Sequence, residues 1–199
     1  MNVSEIQAAL RTVARPDKAL VLARFFKTGK GEYGEGDRFL GVVVPEQRRI
    51  VKKYFSGRNT TSCSGTLRIV QELLRSEFHE ERLTALLLLV EQFKRGSAEE
   101  QASIFDFYLK NLRYVNNWDL VDLSAPNIVG AFLLDKDPSL LYTLAESEHL
   151  WTRRVAVLAT FAFIRAGRFE PILTLAESLL IQKQETHACE YRVLFYSLG

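Results

Sequence analysis

Apolar residues recur at spacings of three and four along almost the whole chain, and no stretch alternates apolar with polar residues long enough to make a strand. Leu83, Leu86, Leu87 and Val90 carry the pattern most plainly, since these spacings put all four on one side of a helix. Gly41–Val44 is the one strand-like stretch, and it is short. Helix is predicted from a cap at Ser4 through Ala14. A second runs from Pro16 to near Lys27, because proline's missing N–H costs nothing in a first turn. A third, basic helix runs from Pro45 to Phe55. Further helices are predicted over Thr66–Ser76, His79–Arg95, Ala98–Val115, Trp118–Leu134, Pro138–Ser147, Leu150–Ala166 and Phe169–Gln184. Most loops between them have about two to five residues, which favours antiparallel neighbours. The chain is therefore read as all-α.

Leu141–Leu150 (LYTLAESEHL) is echoed by Ile172–Ile181 (ILTLAESLLI), 31 residues further on. Repetition at this scale favours stacked helix pairs, an α-solenoid of the HEAT or armadillo kind with a concave face, over a globular helical bundle. The 199 residues are expected to form one such domain.

Several function classes fall away. The longest apolar runs, Leu83–Val90 and Val155–Ile164, are far shorter than the roughly 18 residues of a membrane span. The opening MNVSEIQAAL lacks the basic and apolar regions of a signal peptide. Cys63 and Cys189 are too few for a disulfide framework and wrongly spaced for zinc, and His79, His149 and His187 are scattered. A reduced, cytoplasmic protein without a metal or cofactor is expected. The glycine-rich Thr28–Asp37 (TGKGEYGEGD) lacks the order of a P-loop and follows no strand, so it is not read as a phosphate cradle.

Charge is uneven along the chain. The net charge is +2, but residues 1–60 hold 12 Lys/Arg against 6 Asp/Glu, or +6, which leaves −4 for the rest. A basic first third suits phosphate, and a solvated helix face accounts for the same charges. Arg48, Arg49, Lys52 and Lys53 are the phosphate-binding candidates.

Two clusters carry possible chemistry. In VNNWDLVDLSAPN (Val115–Asn127), Asn116 or Asn117 is a natural helix cap, and Trp118 and Asp122, four apart, share a helix face. Asp119 suits the first turn, where the helix dipole favours an acid. Asp122 sits among Leu120, Val121 and Leu123, so it needs a partner or solvent. In LWTRRVAVLATFAFI (Leu150–Ile164), Arg153 and Arg154 open an otherwise apolar helix. Spacing leaves two uses open: a structural Arg–Asp pair with Trp118 in the core, or a binding site built from the same groups.

Phe25–Phe55, Asn116–Gly130 and Leu150–Ile164, in that order, resemble the AlkD-type DNA alkylation repair enzymes, HEAT-like repeat alkylpurine DNA glycosylases. The likeness covers roughly residues 5–185. It implies hydrolysis of the N-glycosidic bond of N3- and N7-alkylated purines in double-stranded DNA, without metal or cofactor, by a monomer that is nucleoid-associated when bound. Alkylation makes the base a cationic leaving group, so no strong general acid is required. A carboxylate stabilises the oxocarbenium-like sugar and orients water. The resemblance gives that role to Asp122, gives Trp118 the packing against the lesion's deoxyribose, and gives Arg154, or else Arg153, the hold on the backbone. It also implies that the base stays stacked rather than flipped out. One departure stands at the end, where the family usually reads H-K-A-x-G-W-x-L-R-E before a basic tail. Here the chain reads THACEYRVLFYSLG: His187 aligns, the tryptophan position falls near Arg192, and Tyr191 or Tyr196 would have to substitute. That departure keeps a second expectation in play, a non-catalytic HEAT-like module that binds DNA or protein.

Overall fold

The computed structural model describes residues 1–56 and 62–183, the last three by backbone alone. The helices are α1 (Val3–Thr12), α2 (Pro16–Phe25), α3 (Val44–Ser56), α4 (Cys63–Leu73), α5 (His79–Arg95), α6 (Ala98–Lys110), α7 (Trp118–Asp122), α8 (Ala131–Leu133), α9 (Ser139–Ala145), α10 (Leu150–Arg165) and α11 (Glu170–Lys183). Among the described residues there is no strand, and the helices stack side by side as an α-solenoid-like array.

Two helices form the axis of the core. The apolar run Leu83–Val90 is buried on every side within α5, which packs against α3, α4 and α6. Val155–Ala159 does the same in α10, between α7, α9 and α11. A helix apolar all round has to be surrounded, and this pair is. By contrast α2 has no buried residue, and Leu20, Val21 and Phe25 on it are exposed.

Local sequence explains most boundaries. Asn2, not Ser4, caps α1: its side chain accepts the Glu5 N–H at 2.9 Å and Glu5 reciprocates at 3.0 Å. That capping box satisfies two N–H groups otherwise left unpaired, and it moves the helix start ahead of Ser4. Ser62 caps α4, which begins at Cys63 rather than Thr66. After Lys110 the chain tightens into a 3-10 turn, Leu112–Tyr114, instead of continuing as α-helix to Val115.

The largest difference from the sequence reading is at Trp118–Leu134, which is not one helix. α7 ends at Asp122, a wider π-type turn spans Pro126–Gly130, and α8 follows. Pro126 has no N–H to continue the helical ladder, and the Ser124 hydroxyl bonds the Leu120 carbonyl at 2.5 Å. Gly130 lies against α10 so closely that a Cβ would stand 2.2 Å from the Ala159 carbonyl oxygen.

Gly41–Val44 is not a strand either. Val44 already opens α3, and the Glu80 carboxylate accepts the N–H groups of Leu40, Gly41 and Val42 just before it at 2.9, 2.8 and 3.1 Å. Gly41 has φ 81°, and a Cβ there would meet the Arg15 carbonyl at 2.0 Å, so only glycine fits.

Gly130→Ala is expected to lower stability by about 1–3 kcal/mol, the usual cost of overpacking a closed contact. Urea unfolding checks this, and an unchanged midpoint would show that α10 has room to move.

Candidate functional site

The site begins at the cap of α7. The Asn117 carbonyl oxygen accepts the Trp118 N–H at 2.8 Å, and its amide nitrogen donates to Asp37 at 3.2 Å. One residue thus starts the helix and ties it to the end of the glycine-rich segment. Trp118 then stacks on Phe26, with centroids 5.0 Å apart and planes 10° from parallel, and meets Phe25 edge-on at 5.8 Å.

One turn on, Asp122 is held by Arg154 through two parallel bonds, Nε to Oδ1 and Nη2 to Oδ2, both 2.8 Å. Bidentate pairing of this kind fixes orientation as well as charge. The Arg154 side chain is 2% exposed and that of Asp122 is 19% exposed, so the arginine is the buried support and the carboxylate is the accessible member. Burial pushes the Asp122 carboxyl above its ordinary value. The hydrogen bonds and charge of Arg154 work against that push without cancelling it, and the Asp119 charge adds to it.

Arg153 goes elsewhere: its guanidinium donates to the carbonyls of Ser147 at 2.9 Å and Glu148 at 3.0 Å. The structure therefore brings Arg154, Asp122 and Trp118 together and directs Arg153 to the turn before α10. Asp122 and Trp118 also line a pocket of about 530 Å³ with Phe25, Phe26, Phe39 and Val42–Pro45, a mostly apolar wall. Arg48, Arg49, Lys52 and Lys53 are exposed on α3, whose first residues border that pocket. His187, Cys189, Tyr191, Arg192 and Tyr196 lie outside the described residues.

Sequence reasoning missed the polar start of α5. His79, Glu80, Glu81 and Arg82 look like a solvated first turn, yet all four are buried. The His79 ring spans two carboxylates, with Nδ1 3.0 Å from Asp37 and Nε2 2.8 Å from Asp119. Arg82 donates to the other oxygen of Asp37 at 2.5 Å and to the Ser76 carbonyl at 2.9 Å. Glu81 takes Gln7 at 2.8 Å and Arg11 at 2.9 Å, and so holds α1. The available signal was position: four polar residues directly before the most apolar run in the chain, in a helix whose Phe78 cap supplies no side-chain bond.

Burial alone would strip the His79 proton. The Asp119 charge and the hydrogen bonds to Asp119 and Asp37 outweigh it, against some opposition from Arg82, and the value is pushed up to about 9. Burial would raise Asp37, but its bond to His79, the Arg82 and His79 charges and its bond to Asn117 hold it below its ordinary value.

Among the described residues no helix is long and apolar enough to cross a membrane. What the fold and site define is an all-helical protein with a carboxylate and an aromatic face presented at a mostly apolar pocket. Residues 6–187 match the model of the DNA alkylation repair enzyme family, and the chain belongs to that family. A predicted DNA alkylation repair enzyme from Enterococcus faecalis superimposes with a TM-score of 0.65 over 89% of this chain and 77% of that one, at 17% identity, a likeness of fold. No curated protein matches this sequence.

A histidine whose folded value lies above its unfolded one stabilises the fold fully below the unfolded value, near 6.5, and loses that contribution as pH rises through about 9. Thermal melts are expected to fall between those limits for the parent. In His79→Gln, which removes the titrating group, that part of the pH dependence is expected to vanish.

Proposed function

We propose that the chain is an AlkD-type alkylpurine DNA glycosylase built from HEAT-like repeats, which hydrolyses the N-glycosidic bond of N3- and N7-alkylated purines in duplex DNA. The observation that carries this reading is the Asp122 carboxylate, gripped bidentately by a buried Arg154 and left accessible one helical turn from the Trp118 ring. Membership of a family of DNA alkylation repair enzymes supplies the class of substrate.

The chemistry asks little of an acid. An alkylated purine already carries positive charge, so the C1′–N bond breaks with its electron pair going to the base. Positive charge then develops on the sugar. A carboxylate a few ångströms away stabilises that charge, and water adds at C1′ and gives up a proton to complete the hydrolysis. Arg154 keeps Asp122 oriented and offsets the burial that favours its protonated form, which would be useless against a cation. Trp118 offers an aromatic face to the sugar and its developing charge.

The exposed basic stripe Arg48, Arg49, Lys52 and Lys53 supplies phosphate contacts, because residues four apart on α3 project from one side. No metal takes part in this scheme.

The decisive assay is release of 7-methylguanine from a defined methylated duplex. Asp122→Asn is expected to slow it by about 100- to 1,000-fold, the usual effect of removing one electrostatic stabiliser of a transition state. Absence of release by the folded parent, with duplex still bound, would replace this reading with a non-catalytic DNA-binding module. Lys52→Ala is expected to weaken duplex binding and to reduce the slope of log affinity against log salt by about 1. An unchanged slope would remove Lys52 from the phosphate contacts.

A further inference from the structure

The glycine-rich segment between α2 and the stretch before α3 is anchored tightly for a surface connection. The Gly34 N–H donates to the Lys27 carbonyl at 3.0 Å, and a Cβ on Gly34 would stand 2.2 Å from the Phe26 carbonyl. The N–H groups of Gly29 and Gly31 donate to Glu32 at 2.8 Å and Glu35 at 2.7 Å. Its far end, Asp37, is held by His79, Arg82 and Asn117. That network fixes where the segment lies relative to α5 and α7.

Tyr33 stands between these anchors. Its ring meets Trp151 edge to face, 5.9 Å between centroids and 70° between planes. Its neighbour Gly34 packs against Asn117, the residue that caps α7 ahead of Trp118, with a Cβ there 3.4 Å from the Asn117 amide nitrogen, and Trp151 precedes Arg154 by about one turn of α10. Trp118 and Trp151 are the chain's only tryptophans. Trp151 is 6% exposed, whereas Tyr33 keeps 36% of its surface open. A tyrosine serving only the core would be covered. This one packs on Trp151 and still keeps an open side, one turn of α10 from the arginine that orients Asp122.

We infer that Tyr33 is a specificity-determining residue of the site: the anchored segment holds it on Trp151, next to the cap of α7 and one turn of α10 from Arg154, where its ring and hydroxyl touch the sugar–phosphate unit at the lesion. The inference rests on the glycosylase reading above. A phenol suits such a ligand, since its ring packs on the apolar face of deoxyribose while its O–H donates to a phosphate or ring oxygen.

The test compares the parent with Tyr33→Ala and Tyr33→Leu, the second variant keeping bulk against Trp151 should the first fold poorly. Two readouts are taken: single-turnover release of 7-methylguanine, and binding of a duplex carrying a tetrahydrofuran abasic analogue beside an intact duplex, followed by tryptophan fluorescence. Both variants are expected to lose about tenfold in release, the scale of one good aromatic contact. Their preference for the analogue duplex falls as well, while affinity for intact duplex stays at the parental level. A merely structural tyrosine would move both duplexes together. Release and preference at parental levels in the variants would overturn the role of Tyr33 and leave the glycosylase reading standing. No release by the parent would overturn that reading, and the inference with it.

Discussion

The imidazolium of His79, enclosed between two carboxylates, is the interaction on which the arrangement depends. It belongs to α5, the axis of one half of the core. Through Asp37 it fixes the end of the glycine-rich segment, and through Asp119 it fixes α7, which carries Trp118 and Asp122. A charge this deeply buried is tolerated only when paired and hydrogen-bonded, and removing one partner leaves the other exposed to the full desolvation cost. Glu80 and Glu81 extend the same logic to the stretch before α3 and to α1. The first turn of one helix therefore sets the position of most of the N-terminal half.

A second ion pair, Asp122 with Arg154, has a different character. There the arginine is sealed and the carboxylate is partly open, so the pair is asymmetric in exposure. His79 serves two carboxylates that are themselves buried, and the arrangement ends inside the protein. Arg154 serves one carboxylate that keeps an open side, and the arrangement ends at the surface of the pocket.

Much of the fold was legible because apolar periodicity fixes long helices. α5 runs over the predicted His79–Arg95, and α10 falls one residue short of the predicted Ala166. The break after Asp122 was not, because Ile128, Val129, Phe132 and Leu133 continue the helical spacing across Pro126. The likeness of the predicted caps to the observed ones failed where two candidates lay close together, as with Asn2 and Ser4. Of the site, Trp118 and Asp122 on one face followed from spacing, and a pairing of Asp122 with an arginine was one of the two open uses. The choice between Arg153 and Arg154 was not legible, since neighbours in a helix diverge by about 100° and only packing decides which faces inward. Buried polar residues at α5 were invisible because burial of a charge depends on partners 40 or more residues away, such as Asp37 and Asp119.

The stretch before α3 makes hydrogen bonds of the sort a sheet would supply, but to a single side chain. Three successive backbone amides, of Leu40, Gly41 and Val42, converge on the Glu80 carboxylate. In a ladder each amide answers to its own acceptor and can fray separately. Here all three answer to one. They become available to solvent deuterium together, in one event, when α5 and this stretch part, so their common exchange rate is a direct clock of how often the two separate.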